Sequence, residues 1–187
     1  MEGAHVNKEY SIFQIAINLI ITCLVSGLII GLVYYFTAPI AAEKKEVSKQ
    51  ESMRSLVSDA DNFKAVPDKD QWFTAEKDGE IIAYVVPGES KGYGGEIKML
   101  VAVKPDGEVI DYSITTSNET PGLGDNASKQ PFKNEFKGKK EANLTVTKDA
   151  SDKDDIQAMT GATISSRAVT LAVKNAVHEV TDFTGGK

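Results

Sequence analysis

The chain has a single cysteine, Cys23, which excludes an intramolecular disulfide framework and any site built from several thiolates. Its two histidines, His5 and His178, are too few for a histidine-rich metal centre. No long basic run occurs and the pI lies near 5.0, so nucleic acid is not expected as a partner. Internal repeats and low-complexity tracts are absent. So is any Ser/His/Asp or Cys/His constellation in the soluble part, which leaves hydrolytic chemistry without a candidate. What remains is a chain of 187 residues with net charge −6, enough for one ordinary domain plus an anchor or linker. Hydrophobic residues make up 41%, too many for a disordered tail and too few for a multi-span membrane protein.

Those hydrophobic residues are unevenly spread. From Ile12 to Phe36 the sequence carries no charge. At about 1.5 Å per helical residue this exceeds the ~30 Å hydrocarbon layer, so the segment predicts one tilted transmembrane helix. A cleaved signal peptide has an apolar core of only ~7–15 residues behind a basic start. Here the start holds Glu2, Glu9 and Lys8, and the helix is expected to be retained. Tyr34 and Tyr35 close it where an aromatic belt belongs, and Pro39 follows where a helix can end or bend. Gln14, Asn18, Thr22 and Ser26 recur every fourth residue along one stripe, beside Gly27 and Gly31. Amides facing lipid are costly, so this face is expected to pack on other membrane helices rather than stand alone. Flanking charge, with Lys8 on one side and Lys44, Lys45 and Lys49 on the other, by itself places the C-terminal part in the cytoplasm.

The remainder predicts a stalk and then a domain. Ala41 to Ser58 is rich in Glu, Lys, Ser and Ala and reads as a helical stalk. Short strands are expected over 80–86, 97–103, 109–115 and 144–147. Asp78-Gly79 and Pro105-Asp-Gly107 supply turns between them. An amphipathic helix over 165–180 would present Val169, Ala172, Val173, Ala176, Val177 and Val180 as its apolar face, leaving His178 in solvent. The fold class is α+β: a single N-terminal transmembrane helix and a mainly antiparallel sheet with a C-terminal helix. The boundaries expected are 1–11 for a short N-terminal segment, 12–36 for the membrane helix, 37–62 for the stalk or linker and 63–187 for the domain.

Three glycine-bearing segments stand apart from the strands. Gly92-Tyr93-Gly94-Gly95 enters a strand and reads as a turn or as a place of close ligand approach. Glu119-Thr120-Pro121-Gly122-Leu123-Gly124 follows a strand end. It reads as a surface loop, or as a platform where a flat heteroaromatic ring lies on Leu123. Thr160-Gly161-Ala162-Thr163 opens the last helix, where free N–H groups and the helix dipole favour a phosphate. An N-cap cluster explains the same residues. Arg167, in the first turn, either faces an anion or pairs with Asp154 or Asp155.

In this order and combination, the segments resemble the covalent-FMN-binding domain family. That family includes the G subunit of the Rnf electron-transport complex and the C subunit of the sodium-pumping NADH:quinone oxidoreductase. The resemblance covers nearly the whole chain, and its short length is more similar to the Rnf member. It implies FMN carried on Thr163 through a phosphoester bond, installed by a separate flavin transferase. Thr160, Gly161 and Ala162 complete that motif, and Glu119, Thr120, Gly122 and Leu123 with Gly92 and Tyr93 are the further cofactor-binding positions. The family pattern often has Asp three residues before the motif, where this chain has Gln157. The resemblance also implies an electron-carrying subunit without substrate chemistry of its own. It would sit in a cell-membrane complex that passes electrons between ferredoxin and NAD, coupled to movement of Na⁺ or H⁺. Its partners would be the other membrane and peripheral subunits and membrane lipid, with the flavin domain outside the cytoplasm. Two other classes stay open on the residues alone, a non-covalent flavin-binding module on one anchor and a cofactor-free structural subunit.

Overall fold

The computed structural model describes residues 11–185. The short N-terminal segment expected over 1–11 therefore lies, but for Ser11, outside the described residues. The chain divides into two compact units, one reaching Ser48 and one beginning at Lys49.

The first unit is helical. Helix α1 runs Ile12–Leu56, and its segment Ile12–Pro39 is long and apolar enough to cross a membrane. None of that segment is buried within the protein. Pro39 neither ends nor interrupts the helix, so the expected stalk is the C-terminal part of α1. Within the polar stripe the Thr22 hydroxyl donates to the Asn18 carbonyl at 2.8 Å, which removes one unsatisfied donor from an apolar helix. Nothing lies within 4 Å of where a side chain on Gly27 or Gly31 would start, so the groove beside the stripe is open.

The second unit is built on a five-stranded antiparallel sheet in the order β1-β2-β3-β4-β5. The strands are β1 Asn62–Ala65, β2 Phe73–Lys77, β3 Glu80–Lys91, β4 Glu96–Val103 and β5 Val109–Thr116. The last three match the expected strands; β1 and β2, short and interrupted by polar residues, carry too little alternation to be legible. Both faces of the sheet are covered, which explains the almost continuous apolar run of β4. One face presents Tyr84, Val86, Ile97, Met99, Val101 and Val103 to helix α3, Thr163–Thr184. Every residue of the expected apolar stripe on α3 is buried there, while His178 keeps 59% of its side chain exposed. The other face presents Ala75, Ala83, Val85, Leu100 and Ala102, which Met53, Leu56 and Val57 cover. The last turns of α1 thus belong to the domain core.

Between β5 and α3 the chain is mostly irregular. A 3₁₀ segment Gly124–Ser128 leads into the short helix α2, Gln130–Lys133, and two further 3₁₀ turns. Tyr112 ties this region to the sheet: its hydroxyl donates to the Ala127 carbonyl at 2.5 Å, and burial holds the phenol strongly protonated. Lys133 and Asp111 add a half-buried ion pair at 3.3 Å. The strand expected over 144–147 shrinks to β6, Val146–Thr147, which pairs in parallel with β7, Ile156–Gln157. Leu144 is buried but lies in the turn before it.

Candidate functional site

The three glycine segments converge at one end of the sheet. Lys91 opposes Glu96 across the β3–β4 turn, and Lys98 opposes Thr116 at the end of β5. The turn 92–95 and the loop after β5 therefore leave the sheet side by side. Glu119 joins them to α3. One carboxylate oxygen accepts the Gly94 N–H at 2.9 Å, and the other accepts the Ser165 hydroxyl at 2.5 Å. Only 8% of Glu119, one of the expected cofactor-binding positions, is exposed, and its carboxylate is turned inward.

Its burial explains several glycines. Gly92, Gly94 and Gly124 do not have positive φ. A Cβ on Gly92 or on Gly124 would collide with the Glu119 carboxylate, and one on Gly94 with the Asn118 carbonyl. These positions lack side chains because protein atoms fill the space. Conformation is the reason at Gly122 (φ +78°) and Gly161 (φ +75°), where the chain turns left-handed. The turn at Gly122 is closed by the Leu123 N–H donating to the Thr120 carbonyl at 3.1 Å. It leaves Leu123 44% exposed, with Cδ2 only 3.3 Å from the position of a Cβ on Gly161. The second and third segments are thus in contact, and Leu123 projects beside the Thr160–Thr163 turn. Thr120 is exposed, and Tyr93 is 72% exposed.

Thr163 is the first residue of α3. The residue before it, Ala162, takes the capping position, and no side chain caps the helix. The expected alternative, in which these residues form an N-cap cluster, is not what the backbone adopts. The first backbone bond of the helix runs from the Ser166 N–H to the Ala162 carbonyl at 2.9 Å. The N–H groups of Thr163, Ile164 and Ser165 precede that ladder and give the helix end its positive character. Ser166 holds the turn from behind: its hydroxyl accepts the Met159 N–H at 2.9 Å and donates to the Ala162 carbonyl at 3.0 Å. Thr163 itself is half-buried, and among the described residues its hydroxyl has no hydrogen-bond partner.

Thr163 opens onto a cleft of about 290 Å³ lined by Lys148, Gln157, Ala158, Met159, Thr160 and Gly161. Lys148 is exposed and enters no ion pair among the described residues. Sequence reasoning missed it, because the parallel β6–β7 pair brings it to the motif and such two-residue strands leave no local signal. Gln157 serves the cleft wall. Its amide donates to the Asp149 and Asp152 carbonyls at 2.9 and 2.5 Å, and its backbone N–H reaches Glu135. Among the described residues Arg167 forms no pair with Asp154 or Asp155, and it is exposed beside the helix start. Among the described residues the Thr163 hydroxyl is unpartnered, and it meets Lys148 in one open cleft at an uncapped helix start, a combination suited to an anionic ester.

Residues 92–178 match the FMN-binding domain family, a span that holds all three glycine segments. The G subunit of the proton-translocating ferredoxin:NAD(+) oxidoreductase complex of Clostridium ljungdahlii is 60% identical over 96% of this chain and 97% of its own. Its counterpart from the Na(+)-translocating complex of Acetobacterium woodii is 31% identical over 89% of this chain and 90% of its own. Among solved structures, the C subunit of the Na(+)-translocating NADH-quinone reductase of Parabacteroides distasonis aligns with a TM-score of 0.52. It is 28% identical and the match covers 62% of this chain and 63% of that one. With whole-length identity at this level, the chain belongs to the G-subunit family of Rnf-type ferredoxin:NAD oxidoreductase complexes and contains that family's FMN-binding domain.

Proposed function

We propose that this chain is the membrane-anchored flavoprotein of such a complex and relays electrons through FMN esterified to Thr163. The observation that carries the reading is the Thr163 hydroxyl: half-buried, without an internal partner among the described residues, at a helix end with no side-chain cap. That leaves the hydroxyl open to the cleft rather than committed to a cap. Three features suit the cofactor. The helix N-terminus supplies donors and partial positive charge, and Lys148 adds a full charge that offsets the acidic background. Leu123, held beside Gly161 and nearly half exposed, provides an apolar edge for the ring, while Tyr93 and Thr120 are exposed on the neighbouring segments. When bound, FMN supplies the capacity to take up and release electrons, so the protein needs no acid or base at the site. What this chain does is fix the cofactor covalently, leave the cleft open toward partners, and tether both to the membrane through α1.

The partners in this reading are the remaining membrane and peripheral subunits, a flavin transferase for maturation, and lipid around α1. The domain is read as extracytoplasmic, on the family resemblance and against the weak flanking charges. The test is the intact mass of full-length protein made in a host with the flavin transferase. The chain should carry the mass of an FMN ester that survives denaturation, and Thr163→Ala should lose it together with in-gel flavin fluorescence. Full fluorescence in Thr163→Ala rules out Thr163 as the attachment point. A wild-type mass without the ester leaves a non-covalent flavin module instead.

A further inference from the structure

We propose that Glu119 and Ser165 are a positioning pair that sets the flavin site before any flavin arrives, by latching the loop that carries Leu123 to the first turn of the helix that carries Thr163. The proposal rests on the reading of Thr163 as the flavin-bearing residue. Ser165 lies two residues beyond Thr163, and Glu119 lies four before Leu123. A single buried carboxylate therefore spans the two elements that must be in register. Its second oxygen holds the Gly94 N–H, which brings in the turn bearing Tyr93.

A buried carboxylate is costly unless its oxygens are answered. Here both oxygens accept hydrogen bonds, from an amide and a hydroxyl rather than from a cation. The uncapped end of α3 offers partial compensation, because Ser165 is in its first turn and a negative charge there is favourable. Glu119 thus brings a negative charge to the helix start from a remote loop, bonding the Ser165 hydroxyl rather than a helix N–H, and the capping position is left to a small residue, Ala162. A local cap would put a polar side chain beside the Thr163 hydroxyl, so the remote arrangement keeps that hydroxyl unoccupied. The glycines complete the latch: alanine at 92 or 124 would occupy the volume of the carboxylate itself. Glu119 is a positioning residue here, and its negative charge near the cofactor would also bear on the flavin potential.

The test compares Glu119→Gln, Glu119→Ala and Ser165→Ala in the full-length, detergent-solubilised flavoprotein. Glutamine can accept the Gly94 N–H through its oxygen and donate to the Ser165 oxygen through its amide, so it keeps the geometry and removes the charge. Hydrogen exchange, read by mass spectrometry, should accelerate about tenfold or more over 92–95 and 119–124 in both alanine variants, with the amides of β3 and β4 unchanged. Glu119→Gln should restore near wild-type exchange while shifting the flavin midpoint potential. Wild-type exchange in both alanine variants overturns the latch, as does acceleration spread uniformly over the sheet, which would reveal general packing only. Exchange is compared at matched flavin content, verified by intact mass and repeated on chain made without the flavin transferase, so that loss of the cofactor is not mistaken for loss of the latch. The intact mass of the unmutated chain reports separately on the Thr163 ester.

Discussion

At the residue scale the site sets a few functional side chains among many small ones. Thr163, Leu123 and Lys148 face the cleft or its edge, and Glu119, Ser165 and Ser166 stand behind them. Leu123 is the informative position for the ring. Its exposed part would lose contact with a flat cofactor on truncation, whereas its absence frees no buried polar group. Leu123→Ala should therefore keep the flavin ester and change the visible spectrum or the redox potential, measured on protein whose covalent flavin content has been verified by mass. An unchanged spectrum and potential would remove Leu123 from the ring environment. The same residues separate what a sequence discloses from what it hides. The Thr160–Thr163 motif and the Leu123 loop are legible because their order and composition are unusual. The inward turn of Glu119 and the arrival of Lys148 are not, because both depend on chain segments brought in from elsewhere in the fold.

At the scale of elements, periodicity is informative where one face is buried and uninformative where the element is too short. The stripe on α3 is readable because its apolar spacing repeats over several turns, and the strands β3 to β5 because β-rich runs lie between turn dipeptides. Helix α3 runs somewhat further than its stripe, ending at Gly185 with φ +70°. The end of α1 is the harder case: its residues are only loosely periodic, yet Met53, Leu56 and Val57 are each no more than 5% exposed. They fill the outer face of the sheet against Val85 and Leu100. Burying a side chain of this size contributes about 1.5–3 kcal/mol, so losing all three would remove a large share of an ordinary domain's net stability. A truncated chain beginning at residue 49 should accordingly be soluble and unfold cooperatively. One beginning at residue 60 should aggregate or melt well below it in a thermal scan. Equal melting temperatures would show that the outer face needs no cover.

At the scale of the whole molecule, one short chain combines an apolar helix long enough to cross a membrane with an FMN-binding domain built on an antiparallel sheet. The side of the membrane is the property on which charge and family resemblance disagree, and the family reading places the domain outside the cytoplasm. Protease added to right-side-out vesicles should then digest residues 63–187, while inverted vesicles should protect them; the reverse pattern would restore the charge-based orientation. The carboxylate at position 119 has a reach that no single motif conveys. Positions 92, 94, 119, 124 and 165 are scattered through half the domain, yet they meet around two oxygen atoms. Drift at any one of them alone meets a steric or polar dead end. Across descendants of this gene these five sites should therefore travel as a linked set, changing together or not at all.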